Sequence, residues 1–142
     1  MSEQSAPPES ASRRTAPTVF LHIGTMKTGT SFLQRVLQRN AAVLAADGIT
    51  YPLENSRWAL QVRAARDILE IKGKPTYGGW AAMLDAIQAW PGRAAVVSME
   101  FYSLASAARA EKIVAALAPS DVQVIITARD LVRVMPLSLI HI

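Results

Sequence analysis

Between Gly24 and Ser31 the chain reads GTMKTGTS, a lysine and several hydroxyl residues held between glycines. Those residue types at that spacing can bind an anion. Glycine lets successive backbone N–H groups converge, and a helix opening directly after the loop adds partial positive charge. Lys27 supplies a full charge, and Thr28, Thr30 and Ser31 supply hydroxyl donors around Gly29. Two more positions carry chemistry. Arg129 directly follows the apolar run VQVIIT and an alanine, and on its own it reads as a surface Arg–Asp pair with Asp130 at a helix start. Glu100 follows AAVVSM at the rim, where it reads as a helix-capping or solvated carboxylate or as a group that takes a proton from an attacking hydroxyl. His22 sits among apolar neighbours in VFLHIG and reads as a satisfied core histidine. Trp58, Trp80 and Trp90 read as core or interface residues.

These positions need a scaffold that brings them to one place. Thr18 to Ile23 is a short apolar, β-branched run, which predicts a buried strand. From about Thr30, Leu33, Val36, Leu37, Ala41 and Leu44 follow helical spacing, with Gly48 placed as a C-terminal cap. Ile49 to Tyr51 reads as a short extended piece. Helices are expected around Trp58 to Leu69, around Trp80 to Ile87, and over Ala107 to Leu117, with Ala110, Ile113, Val114 and Leu117 on one face of the last. Ala94 to Ser98 and Val122 to Thr127 are two further strands. Apolar strands separated by helices imply an α/β fold with a parallel sheet covered on both faces. In such sheets ligands bind beyond the carboxyl ends of the strands. Gly24–Thr30, Met99–Tyr102 and Ala128–Arg133 all fall there.

Composition narrows the classes. A chain of 142 residues, 51% hydrophobic and 18% charged, can bury the core of one modest domain. Its net charge of +4 and pI of about 9.9 suit a polyanionic small ligand. No basic run or aromatic-basic stripe points to nucleic acid. There are no cysteines and only two histidines, which excludes disulfides, thiolate chemistry and a Cys- or His-rich metal site. No apolar run reaches the ~20 residues of a membrane helix. The Ser/Ala/Pro-rich start, residues 1–17, reads as a disordered leader without a secretory signal, and a cytoplasmic location is the default.

The order of residues in the loop is informative. In an ATPase loop the lysine directly follows the second glycine, whereas Lys27 precedes Gly29. KTGTSFLQ after a strand resembles the 5′-phosphosulfate loop of the sulfotransferases that use 3′-phosphoadenosine 5′-phosphosulfate (PAPS). ADGITYP, Ala46 to Pro52, is similar to the segment after the first helix in bacterial members, and VIITARDLVR resembles the family's 3′-phosphate signature. The resemblance covers roughly Val19 to Met135.

It implies a three-layer P-loop NTPase-like fold with a central parallel sheet, and transfer of a sulfuryl group from PAPS to a hydroxyl or amine. The acceptor would be a carbohydrate, a glycolipid or a small metabolite, and the scheme requires no metal. Lys27 would stabilise the transferring group. The backbone of Thr28, Gly29, Thr30 and Ser31, with the Thr30 and Ser31 hydroxyls, would hold the 5′-phosphate, and Arg129 the 3′-phosphate. Glu100 is the candidate base. The competing readings are a P-loop kinase-like ATP-binding enzyme and a non-catalytic nucleotide-binding fragment.

The family pattern also expects a serine eight residues after the arginine. Position 137 is Leu, and Ser138 stands one place late. The closing LSLIHI carries no stop signal of a finished domain, and it matches a sequencing-adapter end read in this frame. Residues 18–136 are therefore expected to be the N-terminal portion of a nucleotide-binding domain, incomplete at its C-terminus. Residues 137–142 are expected to be a non-native tail, with no role for His141. Little turnover and a tendency to aggregate are expected from such a piece.

Overall fold

The computed structural model of the chain describes residues 16–25, 27–55, 57 and 59–130. The expectations for the leader up to residue 15, for Trp58, for residues 131–136 and for the tail with Ser138 and His141 lie outside the described residues.

The apolar run after Pro17 forms β1, Thr18–Gly24. It is followed by α1, Thr30–Arg39, and α2, Ala41–Ala46. The chain then adds β2, Ile49–Thr50, α3, Ala59–Ile68, and α4, Gly79–Ala89. β3, Ala94–Ser98, leads into a 3₁₀ helix, Glu100–Leu104. α5, Ala107–Ala116, and β4, Val122–Thr127, complete the described elements. The four strands form one parallel sheet in the order β2-β3-β1-β4. Helices flank it, so the architecture is α/β and fits a three-layer arrangement.

Strand alternation divides the two faces. Val19, Leu21, Ala95 and Val97 share one face, where they join Leu60 and Ala64 of α3, Met83 and Ile87 of α4, Ile113 of α5 and its C-cap Leu117 in the main core. The other face carries His22 and Ser98, paired across β1 and β3, and there the amide of Gln34 in α1 reaches the Ser98 carbonyl. Side-chain ties lock the helical layer. Gln61 of α3 accepts from the Ser98 backbone N–H, and Asp67 accepts from Thr76 and from the Trp80 N–H at the start of α4. Trp80 meets Tyr102 edge-to-face, and Trp90 donates its indole N–H to the Gly48 carbonyl.

Four expectations need correction. The helix from Thr30 is interrupted at Asn40, which ends α1 and opens α2; its side chain donates to the Val36 carbonyl instead of capping α2. On α1 the buried positions are the polar Thr30 and Gln34, while Val36 is exposed. On the expected face of α5 only Ile113 is buried, with Leu117 buried at its C-cap, while Val114 is exposed. Finally, β4 is not covered on both faces. Val124 and Ile126 align with Leu21 and Ile23, Ile125 aligns with His22, and all three are exposed. Among the described residues β4 is the outer strand, and no described helix packs over it closely enough to cover it.

Candidate functional site

The three strand ends singled out in the sequence meet at one edge of the sheet. The Thr25 N–H donates to the Thr127 carbonyl at 3.2 Å, which ties the start of the glycine loop to the end of β4. The Met99 N–H donates to the His22 carbonyl at 3.3 Å, which ties the end of β3 to β1. Gly24–Ser31, Glu100 and Arg129 are therefore neighbours along the C-terminal rim.

Within the loop, Lys27 adopts φ 67° and Gly29 φ 88°, both left-handed. Glycine tolerates that conformation, whereas a lysine is strained there by about 1–2 kcal/mol. Strain of this kind collects where a backbone must present groups to a ligand. Gly29 is also the N-cap of α1, and no side chain caps the helix. The first N–H groups of a helix have no acceptor within it; in α1 those of Phe32 and Leu33 donate to the Gly29 carbonyl, at 3.0 and 3.2 Å, and those of Thr30 and Ser31 lie ahead of them at the loop. No acidic residue in the first turn opposes an incoming anion.

Lys27, Gly29, Thr30, Ser31 and Glu100 line one cavity of about 140 Å³. At ~30 Å³ per water in the liquid, it has room for a phosphate- or sulfate-sized group and not for a whole nucleotide. Both candidate catalytic groups, Lys27 and Glu100, border this space. The Thr28 side chain does not, because its hydroxyl donates to the Thr25 carbonyl at 2.6 Å. Its role is to shape the loop, and only its backbone remains a candidate for the anion.

Beneath the loop the threonine hydroxyls converge on Gly24. A Cβ on Gly24 would lie 2.5 Å from Thr127 Oγ1, 2.7 Å from Thr30 Oγ1 and 3.2 Å from Thr28 Oγ1. A glycine is needed at this point for its lack of bulk.

Two further residues, Gln34 and His22, support the site from below. Gln34 is buried, and its amide donates to the Ser98 carbonyl at 3.3 Å and to Glu100 Oε2 at 3.4 Å. Its signal was helical spacing: four residues after Thr30, it shares the inward face of α1. His22 is buried in β1 with Nδ1 2.8 Å from Ser98 Oγ and Nε2 3.0 Å from Thr127 Oγ1. Burial pushes its pKa below the usual histidine value, against the pull of the Glu100 carboxylate. It is a satisfied core histidine, but its partners are the ends of the other two site-bearing strands.

Arg129 stands exposed two residues beyond β4, on the same rim but outside the small cavity. A larger cavity, about 840 Å³, opens at the other end of the sheet between Trp90, Pro91, Leu117 and Pro119. It holds none of the candidate groups. No family model, no curated protein and no solved structure matches the chain.

Proposed function

We propose that this rim is the nucleotide-binding site of a sulfotransferase, with the 5′-phosphosulfate of PAPS seated on Gly29–Ser31. The observation that carries the reading is that Lys27, Thr30, Ser31 and Glu100 border a single cavity sized for one tetrahedral anion. Bound there, PAPS would supply an activated sulfuryl group.

The chain's own residues then have distinct tasks. The α1 amides and the Thr30 and Ser31 hydroxyls hold the 5′-phosphate oxygens. The Lys27 ammonium neutralises charge as it grows on the oxygen between phosphorus and sulfur. Glu100, held by Gln34, takes the proton of the acceptor hydroxyl. Arg129, on the same rim, is suited to the 3′-phosphate. Lysine placement favours this reading over an ATP enzyme, because Lys27 lies inside the loop before Gly29.

Calorimetric titration separates the readings. Adenosine 3′,5′-bisphosphate should bind to the chain, while Mg-ATP should give no response. Lys27→Ala and Arg129→Ala should each weaken binding about 10- to 100-fold, as expected for loss of a charge-assisted contact. Preference for Mg-ATP, or indifference to both substitutions, overturns the proposal.

A further inference from the structure

The contacts beneath the loop run from a buried pair, His22 and Ser98, to part-buried threonines and an exposed Thr28 hydroxyl, and the buried end decides the order of their protons. The Thr28 hydroxyl has one proton and gives it to the Thr25 carbonyl, the shortest contact of the group at 2.6 Å. Towards Thr127 Oγ1 at 3.4 Å, Thr28 can therefore only accept; Thr30 Oγ1, 3.3 Å away, donates to it only while no anion takes the Thr30 proton. Thr127 thus donates to Thr28, and its oxygen accepts from His22 Nε2, 3.0 Å away. A neutral imidazole protonated on Nε2 has a bare Nδ1, which accepts from Ser98 Oγ at 2.8 Å.

The other tautomer fails at the Ser98 end. A proton on Nδ1 would turn Ser98 into an acceptor and leave its own proton without a partner at a fully buried site. It would also turn the Thr127 proton towards Nε2 and away from Thr28, which breaks the chain to the loop. A buried donor without an acceptor costs about 1–3 kcal/mol, enough to decide the tautomer.

We propose that His22 is a positioning residue, fixed as the neutral Nε2–H tautomer, that runs a one-way hydrogen-bond chain from Ser98 through Thr127 to Thr28 and so sets the anion loop on the ends of β3 and β4. Thr28 stands between the two left-handed residues, Lys27 and Gly29. Holding its side chain holds the backbone that presents both. The low His22 pKa agrees with a neutral ring. The chain of contacts does not depend on which anion the loop takes; only its effect on binding rests on the proposed function.

The test uses the full chain labelled with ¹⁵N-histidine, with His141→Asn to assign the two rings. At pH 7.5 the His22 ring should show a proton on Nε2 and none on Nδ1. A proton on Nδ1 overturns the proposal. Thr127→Val should speed hydrogen exchange at the Gly29–Ser31 amides and at His22 Nε2–H, and should weaken adenosine 3′,5′-bisphosphate binding about fivefold, the loss of one neutral hydrogen bond. Thr127→Ser, which keeps the hydroxyl, should restore all three. Unchanged exchange in Thr127→Val, or no recovery in Thr127→Ser, overturns the positioning role. If the unsubstituted chain binds no nucleotide, the proposed function fails, and the ring spectrum and exchange rates still decide for or against the chain.

Discussion

The side-chain amide of Gln34 donates to Glu100 Oε2 at 3.4 Å from a fully buried position in α1, so a core residue holds the rim carboxylate. Its Oε1 is buried, with no hydrogen-bond partner among the described residues. Two long bonds thus stand against one orphaned acceptor, and the amide contributes little net stability. Gln34→Met should leave unfolding free energy within about 1 kcal/mol of the original. Gln34→Ala, which opens a cavity, should cost about 2–4 kcal/mol. Chemical denaturation distinguishes them, and equal losses would mean that the polar contacts matter more than the packing.

Lys27 gives a prediction in which stability and binding move in opposite directions. Its left-handed φ of 67° is relieved by glycine. Lys27→Gly should therefore raise stability by up to about 1 kcal/mol while removing most of the anion affinity. Lys27→Ala should lose the affinity without the gain. Paired thermal melts and titrations check this, and a destabilised Lys27→Gly would show that the side chain itself braces the loop.

The parts of this site legible in the sequence are those fixed by local chemistry. A glycine loop after an apolar run places Lys27, Thr30 and Ser31 without reference to the rest of the chain. Helical spacing located α3, α4 and α5 to within a few residues for the same reason. Gln34 and His22 were harder, because their roles come from partners 64 to 105 residues away in sequence. Strand pairing alone brings Ser98 and Thr127 alongside β1. The misreading of β4 has a related cause. VQVIIT has the composition of a central strand, but exposure is set by what packs on it, and six residues do not contain that information.

Gly24→Ala tests the floor of the loop. Its methyl would stand 2.5 Å from Thr127 Oγ1 and 2.7 Å from Thr30 Oγ1, and β-branched threonines have little rotamer freedom with which to retreat. The substitution should cost about 1–3 kcal/mol and weaken anion binding with it. Combining it with Thr127→Ala should recover part of the stability. Full tolerance of Gly24→Ala would contradict the close approach of the three hydroxyls.

The pH dependence follows from His22, whose pKa is lowered in the folded chain from an ordinary value of 6.5. Between the folded and unfolded values the unfolded chain binds more protons, so stability increases with pH across that window. The native chain should therefore lose stability as pH falls below about 6.5, by at most about 1.4 kcal/mol per pH unit from this group. The Glu100 carboxylate, which favours the protonated ring, limits the effect. His22→Phe should show a flatter profile between pH 7.5 and 5.5. Parallel profiles for the two proteins would mean that the ring titrates alike in both states.

The outer strand β4 gives the last prediction. Val124, Ile125 and Ile126 are 51%, 45% and 66% exposed, so apolar side chains on both of its faces meet solvent. β4 pairs only with β1 in the four-stranded sheet, and among the described residues no strand occupies its other edge. An uncharged apolar edge strand is a template for pairing with another chain. Self-association that strengthens with concentration is the expected behaviour, measured by sedimentation velocity. Ile126→Lys, at the most exposed of the three, should shift the population towards monomer. Because the side chain gives up little burial, unfolding free energy should change by no more than about 0.5 kcal/mol. A chain that stays monomeric at high concentration, or an Ile126→Lys variant that associates as before, would show that this edge is not the contact.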